Sequence, residues 1–191
     1  LCLGKTAHGY VLSSESCAFD AIKAEFIRDI DPGEMVIIDD CGVRSKIYAE
    51  PQKIDKKLCV FEYIYFARSD SKIDGQSVYE TRLNMGRELY NETKYDADIV
   101  MSIPDSGTTA ALGYARASGI PFAEGLIKNR YSGRTFIKPN QEERELAVRM
   151  KLNAMPEVVG GKRIVLIDVS IVRGTTSGLI VKMLKEAGAK E

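Results

Sequence analysis

The sequence predicts an α/β fold with a mostly parallel sheet and helices on both faces. Two observations lead to this prediction. From residue 97 onward, strand-like and helix-like segments alternate, and two apolar strand-like runs end in polar, glycine-containing turns. Such alternation is typical of βαβ units, whose parallel strands are covered on both sides. The 191 residues, 45% hydrophobic and 28% charged, suit one globular domain or one domain plus part of another.

The first fifty residues have a different pattern of short strands and turns. We expect a strand over 8–12, a turn or helix cap at 13–16 that leads into the segment 17–22, and a hairpin that pairs 35–38 with 43–48. Residues 51–57 are charged and lack periodicity, so we place a domain boundary or linker there.

The remaining segments follow in order along the chain. The aromatic run 59–66 has β-prone composition, and apolar residues at helical spacing predict a helix over 76–92. After it we expect strands at 97–103, 122–127 and 163–167, helices at 107–118, 141–152 and 177–187, and a polar loop at 128–140.

Composition excludes several classes of protein. Lys plus Arg and Asp plus Glu both number 27, so a generally basic nucleic-acid binder is disfavoured. No apolar run approaches the roughly 20 residues that cross a bilayer. Because the chain begins with Leu1 and carries no signal-peptide pattern, we expect a cytoplasmic protein and a piece of a longer chain. Four cysteines without CxxC spacing and a single histidine, His8, disfavour a disulfide framework, a zinc site and His-dependent hydrolysis.

Two strand-to-helix turns have the composition of anion sites. Residues 163–168 form an apolar strand that ends in Asp168, and residues 174–177 then open a helix with Gly-Thr-Thr-Ser. Backbone amides at a helix N-terminus favour phosphate. The turn 102–107, Ser-Ile-Pro-Asp-Ser-Gly, has the same layout and can form an anion nest. In both turns these residues alone leave open an alternative in which the polar side chains only cap a helix.

Four segments together carry a resemblance to a known family. They read KNRYSGRTFI at 128–137, SIVRGTTS at 170–177, FEYIYFAR at 61–68 and SESCAFD at 14–20. In this order they resemble the glutamine phosphoribosylpyrophosphate amidotransferases, or amidophosphoribosyltransferases. The resemblance implies a pentosyl transfer of de novo purine synthesis, in which phosphoribosyl pyrophosphate and glutamine-derived ammonia give 5-phosphoribosylamine.

The resemblance also implies a domain arrangement. Residues 1–57 correspond to the C-terminal remnant of an N-terminal-nucleophile glutaminase domain plus linker. Residues 58–191 correspond to a type I phosphoribosyltransferase domain, truncated at its C-terminus. The family's nucleophilic cysteine lies outside this chain, and Cys2 does not match it.

Site residues follow from the resemblance by position. Asp105, Ser106 and Gly107 match the pyrophosphate-binding turn, with Ser106 and Asp168 as magnesium ligands. The match to the catalytic residues comprises Asp168, beside the ribose, and the mobile-loop residues Lys128, Arg130, Tyr131 and Arg134. The cradle for the 5-phosphate comprises Ser170, Arg173, Gly174, Thr175, Thr176 and Ser177. Cys59 matches a cysteine that ligates a [4Fe–4S] cluster in some members, whereas a buried inert thiol is the default interpretation.

The chain departs from the family at one chemically important position. Val169 stands where a second acidic residue normally follows Asp168, so we expect weakened binding of substrate and magnesium. This departure favours an alternative, a catalytically impaired module that binds phosphoribosyl pyrophosphate. A transferase that joins a base to ribose is the other alternative, and the loop 128–137 argues against it. The family further implies purine nucleotides as inhibitors and a homo-oligomer.

Overall fold

The computed structural model describes residues 1–55, 57–129, 131, 148–171 and 174–191, without the side chains of Pro51 and Thr175. These residues form two compact units, 1–81 and 82–191. The segment 58–81 therefore lies with the N-terminal unit, whereas the resemblance puts the domain boundary at residues 57 and 58.

The N-terminal unit is built on a three-stranded antiparallel sheet in the order β2-β1-β3. Its strands are β1 (Cys2–Thr6), β2 (Gly9–Ser13) and β3 (Glu25–Asp29), with the short helix α1 (Cys17–Ala21) between the last two. Phe19 of α1 is 1% exposed and packs under Gly4, where any β-carbon would lie 2.9 Å from the phenyl ring. The small residue in β1 thus makes room for the principal core side chain of α1.

The hairpin predicted around residues 39–42 is confirmed. Strands β4 (Glu34–Asp39) and β5 (Gly42–Ile47) pair in antiparallel register from Glu34 opposite Ile47 to Asp39 opposite Gly42. The Asp39 carboxylate accepts a hydrogen bond from the Cys41 amide, which closes the turn. Two-residue strands β6 (Lys72–Ile73) and β7 (Gln76–Ser77) complete the unit.

The strand expected from the aromatic run 59–66 is wrong, because the structure is helical there. Residues 60–61 are helical and Glu62–Phe66 forms a π-type turn, closed by the Ala67 amide donating to the Glu62 carbonyl at 3.0 Å. Within this turn Tyr63 is 5% exposed, and its hydroxyl donates to the Ile73 carbonyl at 2.8 Å. β-prone composition was overridden by the burial of one aromatic side chain.

The C-terminal unit contains the predicted parallel pairing. Strand β8 (Ile99–Ser102) pairs in parallel with β11 (Ile164–Ile167), and an isolated parallel bridge joins Val100 to Phe122. The helices of this unit are α2 (Val78–Glu92, which begins in the first unit), α3 (Thr108–Ser118), the short α4 (Pro156–Val159) and α5 (Thr175–Glu186). Gly119 ends α3 in the left-handed conformation, as its position in the sequence predicts.

Helices cover both faces of β8, which explains why all four of its residues are buried. Ile99 and Met101 point to the side of α5 and pack with Ile180 and Met183. Val100 points the opposite way and packs with Tyr114 and other buried residues of α3. The alternation of strand side chains therefore divides the core into two layers.

The strand predicted over 122–127 is split. Phe122 makes the bridge to β8, but β9 (Leu126–Lys128) pairs in antiparallel register with β10 (Leu152–Ala154). Gly125 lies between these two segments and packs closely on the core, since a β-carbon there would lie 2.6 Å from the Met101 side chain. Of the helix predicted over 141–152, residues 148–151 are helical, and 141–147 lie outside the described residues.

In the part of the chain that the structure describes, no helix is both long and apolar enough to cross a membrane.

Candidate functional site

The carboxyl ends of β8 and β11 are neighbours, which brings the two predicted anion turns together. Ser102 stands opposite Ile167 in the parallel ladder, and the Ile103 amide donates a 2.9 Å hydrogen bond to the Ile167 carbonyl. The turn 103–107 therefore begins beside Asp168, the first residue after β11. Ligands in open α/β sheets bind at this end of the strands.

Gly107 packs directly against the carboxyl end of β11. It is buried, and a β-carbon added to it would lie 2.7 Å from the Ile167 carbonyl oxygen and 3.4 Å from the Asp168 α-carbon. A side chain at this position would push the turn 103–107 away from the end of β11. The glycine is required by packing between loops, because its own φ is −77° and imposes no left-handed backbone.

Asp105 and Ser106 project from the same turn and are exposed. Neither side chain caps α3, since the residue at the N-cap position is Gly107 and no side-chain capping bond is present there. The buried Ser102 hydroxyl instead pairs with the Thr108 hydroxyl at 3.1 Å, just below the turn. The capping interpretation of Asp105 and Ser106 therefore finds no support in the geometry.

Asp168 is half-buried at the end of β11. Burial raises the pKa of its carboxyl, and a 2.8 Å hydrogen bond from the Val169 amide partly opposes that shift. The carboxylate is thus partly shielded from water and hydrogen-bonded to the backbone amide of the next residue. Val169, also half-buried, supplies no second carboxylate beside it.

The N-terminus of α5 forms the second turn. Gly174 is the N-cap residue with φ +71°, a left-handed conformation that favours glycine, and no side chain caps the helix. The first amides of a helix have no intrahelical partner and can bind an anion. Thr176 and Ser170 are exposed and Ser177 is half-buried. Arg173 and the side chain of Thr175 lie outside the described residues.

Lys128, the first residue of the predicted mobile loop, belongs to strand β9 instead, and its side chain reaches the first turn. It ends β9, where it pairs with Leu152, and its ammonium lies 2.5 Å from the Asp105 carboxylate. Tyr131 is fully exposed. Arg130 and Arg134 fall outside the described residues, so their predicted roles stay predictions.

No three His, Cys, Asp or Glu side chains converge on a metal-sized site among the described residues. Magnesium usually keeps several waters and binds through one or two carboxylates plus substrate phosphates, so Asp168 suits it without a protein cage. Cys59 is exposed, so the default interpretation of a buried thiol is wrong. A [4Fe–4S] cluster needs four ligands, and Cys59 has no converging partner in the described part of the chain. The described residues therefore do not fit a cluster.

The thiol of Cys2 is unsuited to nucleophilic chemistry. It is 3% exposed and donates to the Asp29 carboxylate at 3.1 Å. Burial, followed by this hydrogen bond, raises the pKa of Cys2 to about 11. Since the thiolate is the nucleophile, a protonated thiol is inert at neutral pH.

Two contacts of the site were missed by reasoning from the sequence. The Ile167 carbonyl anchors the first turn, and Asp105 pairs with Lys128 across 23 positions of sequence. A backbone carbonyl gives no sequence signal at all. The pair of Asp105 and Lys128 does leave a sequence signal, because a carboxylate is unexpected inside a turn predicted to bind an anion. The signal does not identify the partner of that carboxylate.

The whole chain is similar in sequence to known proteins. It is 56% identical over 191 residues to the amidophosphoribosyltransferase of Archaeoglobus fulgidus and 53% identical to that of Bacillus subtilis. It covers 41% and 40% of these relatives, so it spans about two fifths of their length. No protein-family model matches the chain.

A solved structure matches as well. The glutamine phosphoribosylpyrophosphate amidotransferase from B. subtilis, complexed with ADP and GMP, superposes with a TM-score of 0.90 at 53% identity. The match covers 100% of this chain and 41% of that one.

Proposed function

We propose that the chain is part of an amidophosphoribosyltransferase, and that its C-terminal unit binds phosphoribosyl pyrophosphate and transfers the phosphoribosyl group to ammonia. The observation that carries this proposal is the packing of Gly107 against the Ile167 carbonyl, which holds the first anion turn beside the end of β11, the strand that leads into the second. A substrate with a phosphate at one end and a pyrophosphate at the other needs two such turns side by side.

Each part of the substrate is assigned to its own group of residues. The free amides and hydroxyls of Gly174, Thr175, Thr176 and Ser177, with Ser170 and Arg173, hold the 5-phosphate. Asp105, Ser106 and Gly107 form the pyrophosphate turn. Asp168 lies between the two turns, where its carboxylate faces the ribose.

The chemistry follows from where charge develops. As ammonia attacks C1 of the ribose, the C1–O bond to pyrophosphate breaks, positive charge builds on the sugar and negative charge on the leaving group. Asp168 stabilises the first charge, and Lys128, with the loop residues Arg130, Tyr131 and Arg134, stabilises the second. Mg²⁺, bound through Asp168 and Ser106, would supply further charge neutralisation on the pyrophosphate.

The proposal extends to the parent protein. Residues 1–57 are assigned to the end of a glutaminase domain and 58–191 to the transferase domain, so ammonia comes from glutamine hydrolysed elsewhere. Free thiols suit a cytoplasmic enzyme. The nucleotides bound by the B. subtilis relative support purine nucleotides as inhibitors. The homo-oligomer is proposed from the family resemblance of the sequence.

A second function is favoured by Val169 alone. With one carboxylate in place of two, the chain would retain phosphoribosyl pyrophosphate binding and lose turnover. The two functions differ in whether ammonia displaces pyrophosphate from the bound substrate.

Calorimetric titration of the chain with phosphoribosyl pyrophosphate, with and without magnesium, tests binding. Ammonia-dependent release of pyrophosphate then tests transfer. Magnesium-dependent binding with release supports the transferase, and binding without release supports the impaired module. A folded sample that binds no phosphoribosyl pyrophosphate contradicts both.

A further inference from the structure

We propose that Asp105 is a positioning residue that holds the Lys128 ammonium at the pyrophosphate turn and does not itself contact the ligand. The inference rests on the proposed function and assigns a separate task to one residue of that site. It starts from a carboxylate that stands where an anion is expected to bind.

The chemistry of Asp105 is wrong for direct contact with pyrophosphate. Its side chain is 77% exposed at the tip of the turn, and two like charges at short range repel each other. The carboxylate instead meets the Lys128 ammonium at 2.5 Å. Its contact in the structure is thus with a cation from a different strand.

Strand pairing fixes the backbone of Lys128, so its side chain starts from a defined position. Lys128 is paired with Leu152 in the β9–β10 ladder, and the next amide, that of Asn129, donates to the Lys151 carbonyl at 2.7 Å. Upstream, Gly125 packs against Met101 and Val159 of the core. The strand therefore delivers Lys128 to a fixed starting point.

A lysine side chain has four methylene groups and loses much rotamer freedom when it binds a ligand. The ion pair with Asp105 removes part of that freedom before the ligand arrives, and the Lys128 side chain is only 32% exposed. An ammonium has three donors, so two remain for phosphate oxygens while one stays on Asp105. Pre-organisation of this kind raises affinity without a new contact.

The direction in which Asp105→Asn changes the affinity for pyrophosphate distinguishes a positioning role from simple repulsion of the ligand by the carboxylate. If Asp105 only repels the ligand, Asp105→Asn tightens the binding of inorganic pyrophosphate. If Asp105 positions Lys128, the same substitution weakens binding about fivefold, the order expected for an exposed ion pair. Magnesium-free buffer excludes any effect through a metal, and circular dichroism confirms that each variant folds.

A double-mutant cycle shows whether the effect passes through Lys128. We expect Asp105→Asn to change pyrophosphate affinity in the wild-type background and not in the Lys128→Gln background, and we expect Asp105→Glu to recover binding. The matched control is Asp96→Asn, an exposed aspartate paired with Arg163 at the opposite end of the same strands, which should leave affinity unchanged.

Three outcomes overturn the inference. Equal or tighter binding by Asp105→Asn shows that the carboxylate positions nothing. An equal loss in the Lys128→Gln background shows that Asp105 contacts the ligand directly. Both leave the proposed function intact. A folded wild-type chain that binds neither pyrophosphate nor phosphoribosyl pyrophosphate overturns the proposed function, and this role with it.

Discussion

Gly107 and Ile167 lie so close together that a β-carbon on Gly107 would stand 2.7 Å from the Ile167 carbonyl oxygen. Gly107 lies in the turn after β8, and Ile167, about sixty positions later in sequence, is the last residue of β11. Their contact keeps the pyrophosphate turn against the strand that carries Asp168.

Gly107→Ala should displace the first turn, because the new methyl group meets a backbone carbonyl that cannot rotate away. We expect a loss of about 1–3 kcal/mol in the free energy of unfolding, the usual cost of overpacking, together with weaker pyrophosphate binding. Denaturant unfolding and calorimetry measure the two effects. The control is Gly178→Ala, since Gly178 lies in α5 with open space around it and the alanine should stabilise the helix. An unchanged Gly107→Ala variant would contradict the role of this contact.

Gly86→Ala should destabilise the C-terminal unit without touching the site. A β-carbon on Gly86 of α2 would overlap the backbone of Ala110 in α3, and one on Gly113 of α3 would overlap that of Leu83. The two helices thus cross at a pair of glycines, and we expect a loss of roughly 2–3 kcal/mol or more in unfolding free energy. Thermal unfolding measures it, and wild-type stability in Gly86→Ala would show that the helices can separate freely.

Asp168→Asn should separate stability from binding. Burial raises the pKa of Asp168, so its carboxylate opposes folding at neutral pH. The sign is that of a raised pKa in the folded state: stability from this group is present at low pH and is lost as pH rises through that pKa. We therefore expect Asp168→Asn to melt at or above the wild-type temperature at pH 7, while magnesium-dependent binding of phosphoribosyl pyrophosphate disappears. A variant that binds normally would remove Asp168 from the site.

Val169→Asp should restore a second carboxylate beside Asp168. A charge-assisted hydrogen bond is worth ~1.5–3 kcal/mol, so phosphoribosyl pyrophosphate should bind roughly ten- to a hundredfold more tightly in magnesium. Steady-state kinetics of the ammonia reaction measure the accompanying change in kcat/KM. Val181→Asp is the matched control, with the same substitution at a half-exposed position in the middle of α5. If kcat/KM and affinity stay unchanged, Val169 is not what limits the site.

Asp98→Asn should remove an acid-sensitive part of stability. The Arg163 guanidinium and its amide hydrogen-bond the Asp98 carboxylate and lower its pKa to about 2. Because an unfolded aspartate titrates at about 4, this contribution is complete above that pH and is lost as pH falls toward 2. Unfolding free energies measured from pH 5 to pH 2 should therefore fall more steeply for wild type than for Asp98→Asn. In an Arg163→Gln background the difference between the two slopes should shrink to the part that the Arg163 amide contributes, and parallel slopes in the wild-type background would exclude the ion pair as the cause.

Much of the secondary structure was predicted correctly because it depends on neighbours in sequence. The hairpin of β4 and β5 follows from polar turn residues between apolar runs, and α3 ends at Gly119 because glycine adopts the left-handed conformation readily. The aromatic run 59–66 was mispredicted because its conformation is decided by the burial of Tyr63 and a hydrogen bond to Ile73. Composition cannot reveal a partner ten residues away.

The sequence by itself determined the class of fold, the strand-to-helix turns and the residue types that suit phosphate. Each of these properties follows from the spacing of a few consecutive side chains. Only the tertiary structure decided that Gly107 lies against Ile167 and that the Asp105 carboxylate meets Lys128. Such contacts depend on which strands pair and in what register, and that is settled by packing of the whole core, which no local pattern records.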